Sequence, residues 1–510
     1  MDTPLNPWTD AAAFPLLTTL TLIPLAAMVA VLCSRSSVAA LRFGFAGASL
    51  TVMLSLYLLR VFDSGNPGIH LVEQLHFAGL SYSVGVDGAN ILFIPLTAVL
   101  TFLTLVYTLI TRHVTDKLFM ACLLGYEAIL IGAFAALNVM QFWLWCMLEL
   151  IPVLLLTVHG GTGQNRRWVV TLLLQYWGSG LAMTLAGFLF LAFGLVGSDH
   201  DLTFDWLTLK ENNAYLHDET LIFILLFFGF SIRMPLFPFH GWLPLLAEHG
   251  TVASAVVFLV GLKLGIYALI RFILPLLPGV AEEWAGFVLT LGLISIFYGA
   301  LLALMQINIR RLLAFAVISH TGMLVIGVFC FNEYGLEGSI LLSIAYGLAT
   351  AGMLFSVGLI YQRTRTAFIP RLGGLFDSNS TIALLFLISA LSTMVMPGTP
   401  GFDAAHLLIE GVIEEDGWLV AIAILLGNVL AAAFLLRAFQ QVFIATPTRS
   451  QQPYGCDHHP VRNERIIAVV ICLLLIGTGF YTTPWLNFID QDATAIKKDY
   501  PVHGSQEPGG

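Results

Sequence analysis

Charge is scarce in this sequence. Only 10% of its 510 residues are Asp, Glu, Lys or Arg, while 58% are hydrophobic; soluble domains carry about 25% charged residues. No polar stretch is long enough to fold as a soluble catalytic domain. Cysteine is equally sparse: Cys33, Cys122, Cys146, Cys330, Cys456 and Cys472 stand singly, with no C-x-x-C, which argues against iron–sulfur clusters and a disulfide framework. Cys456, His458 and His459 have the residue types of a metal site, but a short polar loop accounts for them equally well, and no metal is expected. No G-x-G-x-x-G follows a strand and no G-x-x-x-x-G-K occurs, so no NAD, flavin or nucleotide cofactor is expected. Any redox chemistry falls to another subunit. The first apolar segment lacks a basic leader and a small-residue cleavage site, and reads as a retained helix. The net charge of −9 lies mostly in loops on one side and says little about partners.

What fills the chain instead is apolar runs long enough to cross about 30 Å of hydrocarbon. They fall near 14–34, 38–60, 87–110, 116–136, 138–157, 167–196, 219–240, 250–275, 284–305, 309–331, 337–362, 379–413, 417–443 and 464–486, fourteen in all. Fifteen lysines and arginines then fall on one side, five on or near the other, and Arg233 and Lys263 inside the membrane. Basic loops stay cytoplasmic, so both termini are expected outside the cytoplasm. The loop at 197–218 and the tail after 487 are polar and expected outside the membrane. The fold class is all-α and polytopic.

A weak internal symmetry runs through the spans. The seventh ends in "IRMPLFP" and the twelfth carries "TMVMPGTPGF", each a Met-Pro followed by a second proline three residues on. They lie five spans apart, and an odd offset reverses orientation. Proline-broken helices in two inverted halves point to a transport pathway at mid-membrane. Four segments follow: residues 1–115 (spans 1–3), 116–276 (first repeat, spans 4–8), 284–443 (second repeat, spans 9–13), and 444–510 (last span and tail).

An ionisable group in hydrocarbon is costly unless paired or hydrated, so each is a functional candidate. These are Glu149, Arg233, His240, Lys263, His320, Asp403, His406 and Glu410. Lysines and histidines suit proton relay because surroundings readily move their titration. Their order along the chain is compatible with a lateral row across the bundle. His240 beside its break also reads as a helix-end hydrogen bonder, and Asp403 and Glu410 as surface residues before a loop. Lys263 in "VVFLVGLKLGIYALI" lies too far from either end to reach water by snorkelling.

Six segments resemble, in order, the antiporter-like subunits of respiratory complex I: "GVDGANILFIPLTAVLTFLTLVY", "ELIPV", "MPLFPFHGWLP", "LKLGIYALIRFILPLLP", "RRLLAFAVISHTGM" and "GGLF…MPGTPGF". The type is M (chain 4), related to the Mrp cation/proton antiporters, and the likeness runs from about 80 to 486. It implies fourteen helices in two inverted five-helix repeats with broken helices 7 and 12, and protons moving along a buried polar axis. Lys263 and Ser319-His320 match the family's helix-8 lysine and helix-10 Ser-His.

The departures shape the functional reading. The family's helix-5 glutamate falls at Met147, and Glu149 matches only a second acid of some M-type relatives. The helix-7 lysine is replaced by Arg233, the second helix-11 histidine by Tyr346, and the helix-12 glutamate by His406. "LLAEHGT" replaces the family's Asp-Ala-His and Glu-Ala-Pro-Thr. Arginine stays charged and cannot relay protons by cycling, so the path is expected to be rewired, through Lys263, Glu149, Arg233, His320, His406 and Glu410. The reading that follows is a proton-translocating subunit of a complex I-related assembly in the bacterial inner membrane, beside other membrane subunits and a redox module. A second reading couples proton flow to inorganic-carbon uptake with a zinc-bearing, carbonic-anhydrase-like partner. A third is a non-conducting scaffold.

Overall fold

In lipid every backbone polar group must be satisfied within the chain, which leaves the helix as the form for long apolar runs. The computed structural model, which describes residues 5–77, 80–111, 116–161, 165–196, 202–213, 218–446 and 462–497, is accordingly dominated by helices. The Cys456, His458 and His459 cluster lies outside the described residues. The main helices are α1 Leu16–Cys33, α2 Ser37–Val61, α3 Phe93–Thr111, α4 Lys117–Ala135, α5 Val139–Gly160 and α6 Arg166–Val196. Next come α7 Glu219–Arg233, α8 Trp242–His249, α9 Val252–Ala268, α10 Ala285–Met305, α11 Ile309–Val328 and α12 Glu333–Thr364. The last are α13 Ser380–Thr393, α14 Pro400–Glu415, α15 Trp418–Phe439, α16 Arg462–Phe480 and α17 Asp490–Lys497. Several start on a polar cap that satisfies the first free N–H groups: Asp116 for α4, Asn138 for α5, Asn308 for α11 and Asn332 for α12.

Among the described residues, eleven helices are long and apolar enough to cross a membrane. The other three of the fourteen expected spans fall on interrupted or more polar elements. α7 and α8 are separated by "MPLFPFHG", and α13 and α14 by "MVMPGT", whose Gly398 adopts φ 83° before Pro400 opens α14. α16 opens with charged residues. α9 runs on through a π-helical turn at Leu269–Ile273, and Phe258–Leu276 is buried throughout. α4, α11 and α12 are almost as deeply enclosed, whereas α1, α2, α6 and α15 present broad apolar outer faces.

One element was not expected. Between α2 and α3 the chain forms strands β2 (Ile69–Phe77) and β3 (Leu80–Val86), paired antiparallel from His70↔Val86 to Phe77↔Leu80, with β1 (Leu5–Pro7) parallel to β2. From β2, Glu73 accepts the N–H groups of Leu17 and Thr18 at 2.7 and 2.9 Å. That carboxylate caps α1, whose own N-cap residue is Pro15, with no side-chain oxygen to offer. The expected outer loop and tail are also more than polar chain. Within 197–218 a short helix, Trp206–Glu211, buries Trp206, whose Nε1 donates to the Arg271 carbonyl at 2.6 Å. The tail forms α17, which packs on α12.

Contacts pair the helix ends consistently. Lys117 Nζ donates to Ser34 O at 2.5 Å, Arg311 meets Glu248 at 3.4 Å, Arg363 meets Glu464 and Asn379, and Arg437 donates to Leu304 O at 2.8 Å. These basic ends share one face. The hairpin, α17 and the π-turn of α9 share the other.

Candidate functional site

A helix advances about 100° per residue, so Met147 and Glu149 point to different sides of α5. Met147 is 39% exposed and Glu149 0%. The acid therefore faces the bundle, at the position two residues on from the site the resemblance favours. There it meets Arg233, the last residue of α7, in a buried ion pair. Tyr126 of α4 donates its hydroxyl to Glu149 Oε1 at 2.7 Å. Arg233 also reaches the Gly261 carbonyl at 3.3 Å and lies 5.1 Å from the centroid of the Trp177 ring. The break after Arg233 places its guanidinium where α5, α6 and α9 converge.

Gly261 is essential to this convergence. A Cβ there would collide with the Tyr126 hydroxyl and stand 2.5 Å from Glu149 Oε1. Gly261→Ala is expected to cost about 1–3 kcal/mol by overpacking and to impair transport. A purified variant complex with unchanged melting temperature and unchanged transport would contradict the Tyr126–Glu149–Gly261 packing.

Lys263 sits two residues further along α9, buried, with its Nζ 6.0 Å from the centroid of the Tyr346 ring. No carboxylate lies within ion-pair distance of it among the described residues. His320 stacks on the same tyrosine, ring centroids 4.2 Å apart and planes at 19°. Tyr346 thus touches the imidazole and lies near the lysine. Ser319 is tied to the Ile296 carbonyl at 2.9 Å. Helix α9 thus joins two polar groups into one row from α4 to α11: Tyr126–Glu149–Arg233 at Gly261, and Lys263–Tyr346–His320 two residues further on.

The structure does not bring all the expected residues into it. His240 is buried beside the first break, packed against Phe237 and Tyr298 with ring centroids 5.8 and 5.0 Å away. His406 and Glu410, one turn apart on α14, are exposed on the outer flank, and Asp403 accepts a hydrogen bond from Thr482. Conversely, sequence reading passed over Glu127 of α4, fully buried, with neither carboxyl oxygen hydrogen-bonded among the described residues. The signal was available: an acid in "LLGYEAILIGAF" interrupts an apolar run just as Glu149 does. Arg271, one of the five basic residues counted on or near the outer side, is instead buried and paired with Asp87 at 2.7 Å.

A cavity of about 50 Å³ leads from the basic face toward this row. Arg310, Thr251 and Thr157 line it, and so do Leu246, Phe258 and Tyr126. Its volume suits a few waters, since one needs roughly 10–15 Å³ on this measure. Tyr126 lies about 13 Å into α4 from Lys117.

The sequence profile of the family described as "NADH:quinone oxidoreductase/Mrp antiporter, TM" matches residues 136–431. The chain belongs to this family. It is 30% identical over 445 residues to the NADH-quinone oxidoreductase subunit M of Rickettsia typhi, covering 86% of this chain and 88% of that one. Over 506 residues it is 30% identical to subunit M of Rhodobacter capsulatus, covering 95% and 97%. A chain of respiratory complex I from Thermus thermophilus with bound NADH superposes with a TM-score of 0.84 at 27% identity, covering 95% of this chain and all of that one. A chain of the Mrp complex from Dietzia sp. shares the fold, with a TM-score of 0.84 at 18% identity over 95% of this chain and 98% of that one. This is therefore an M-type antiporter-like membrane subunit. The similarities support neither inorganic-carbon uptake nor a scaffold role.

Proposed function

We propose that the chain is the proton-translocating M-type subunit of a complex I-related NADH/quinone oxidoreductase-like assembly, with a path rewired around Arg233. The carrying observation is the buried row. Lys263, free of any described carboxylate, lies by Tyr346, on which His320 stacks, while Gly261, two residues earlier on the same helix, touches the Glu149–Arg233 pair. Arginine does not give up its proton, so Arg233 serves as a fixed charge and Lys263 as the cycling base. While Glu149 and Arg233 stay paired, their charges largely cancel at Lys263. Separation of the pair leaves an unneutralised cation at Gly261 of the same helix, whose field drives the Lys263 proton toward Tyr346 and His320. Water in the cavity supplies Glu149 through Tyr126.

The basic face is assigned to the cytoplasm by its excess of lysine and arginine. Both termini and the hairpin then lie outside, in a bacterial inner membrane. Partners are other membrane subunits, and the redox centres belong to a separate module. His406 and Glu410 are assigned to a protein-covered flank, where they pass protons to the neighbour, because titratable side chains facing lipid are costly.

Filling the inlet tests this reading. Ala314 lines the cavity, and Ala314→Phe is expected to slow proton transport by about an order of magnitude, the effect of roughly 1.4 kcal/mol added to the barrier. Transport is measured in vesicles carrying the intact complex, normalised to assembled subunit. An unimpaired rate with the cavity filled would remove the inlet from the mechanism.

A further inference from the structure

The face opposite the basic ends holds a second buried ionic cluster that the row does not use. Gly68 and Gly88, at the two feet of the hairpin, donate their backbone N–H groups to Asp492 Oδ1 and Oδ2 at 2.9 and 2.5 Å. One carboxylate of α17 thus clamps both ends of the hairpin. The fit is close: a Cβ on Gly88 would stand 2.8 Å from the Phe488 carbonyl and 3.0 Å from Asp492 Cβ. Beside Gly88, Asp87 is buried and paired with Arg271 Nη2 at 2.7 Å. Arg271 Nε donates to Tyr267 Oη at 3.1 Å. Along the helix, Tyr267 comes four residues after Lys263, and Arg271 eight residues after it.

Two buried carboxylates thus sit at one foot of the hairpin: Asp87 pairs with Arg271, and Asp492, held at the adjacent Gly88, has only backbone N–H partners. The other charged groups around Asp492 offer no second cation among the described residues. α12 contributes Glu333 and Glu337, α17 contributes Asp490 and Lys497, and Lys497 is engaged with Glu333 at 3.6 Å. On β2, His70 is held by Asn6 and by the Asn66 carbonyl. Two acids facing one base in a buried setting cannot both ionise cheaply.

We propose that Asp492 exchanges a proton beside the Asp87–Arg271 pair and, through that pair, helps position the helix that carries Lys263, so that transport responds to pH on the hairpin face. The inference rests on the proton-translocating reading above. Burial, and then the Asp87 charge, push Asp492 up to about 7. A carboxyl raised in this way stabilises its docked state in the protonated form. That contribution is fully present below the ordinary carboxylate range and is lost as pH rises through about 7. Acid on this face holds α17 on the hairpin, and alkali loosens it. Asp87 and Asp492 are positioning residues, acting on Lys263 only through Arg271 and α9.

The test uses the intact complex in proteoliposomes, with pH set independently on the two faces. Transport is expected to show a step centred near the Asp492 value when pH on the hairpin face is varied, and none when the opposite face is varied. Asp492→Asn, which mimics the protonated acid, should flatten that step. Asp87→Asn leaves Arg271 to Asp492 alone and should move the step down by about one unit or more. An unchanged step in either variant overturns the proposal. Hydrogen exchange on the unmodified complex gives a readout independent of transport and of variant assembly. Amides of 483–497 should lose protection as pH rises through neutrality, and protection flat across that range, corrected for intrinsic exchange, overturns the proposal. An exchange transition alongside normal transport in Lys263→Ala would instead sink the translocating reading and leave the carboxyl pair standing.

Discussion

Replacing Lys263 with alanine is expected to abolish coupled proton transport while leaving the subunit in its complex. The lysine is buried in the middle of α9 and has no described carboxylate to hold it. Removing it therefore strands no counter-charge, and the void lies beside the Tyr346 ring, not in a tight ionic cluster. Loss of a proton-transfer group costs about 10²–10⁴-fold in rate, which puts transport below detection. Lys263→Arg should fail as well, because it keeps the charge and cannot release the proton. Proton uptake by vesicles, measured alongside the amount of assembled complex, separates lost chemistry from lost assembly. Normal pumping by Lys263→Ala would eliminate the cycling role and leave a scaffold.

The transmembrane character was legible because hydrocarbon imposes long apolar runs, and the breaks at 234–241 and 394–399 because proline and glycine mark them. The hairpin was not. "IHLVEQLHF" and "LSYSVGV" lie between two spans, and a search tuned to twenty-residue apolar windows passes over nine-residue strands. Their stability comes from α1 and α17, through Glu73 and Asp492, contacts between residues far apart in the chain.

The candidate site divides along the same line. Glu149, Arg233, Lys263 and His320 were visible because an ionisable residue stands out in an apolar run. Which of them meet depends on rotation about each helix axis. Two residues of register separate Glu149 at the core from Met147 on the outer face, and that difference decides whether the acid finds Arg233. The same rotation leaves His406 and Glu410 on the outer flank of α14, although their spacing was equally compatible with a buried row. Asp87 and Arg271 are 184 residues apart, and no periodicity links them.

Arg233→Met is expected to be the most destabilising single change in the row. It leaves the Glu149 carboxylate at 0% exposure with only the Tyr126 hydroxyl for company. Breaking one side of a buried ion pair costs about 3–5 kcal/mol, because an uncompensated charge remains. The variant should yield little assembled complex and a lowered melting temperature. Arg233→Lys keeps the charge but forfeits the guanidinium whose Nη2 serves Glu149 and Gly261 together beside Trp177, so it should fall between wild type and Arg233→Met. The decisive comparison is Glu149→Gln combined with Arg233→Met. With both charges gone no uncompensated ion remains at this junction of helices, and most of the lost assembly should return. Transport should not return with it, since the fixed charge that acts on Lys263 is absent. A double variant that pumps like wild type would make the pair purely structural. An Arg233→Met complex as stable as wild type would mean that the ion pair does not form in the assembled protein.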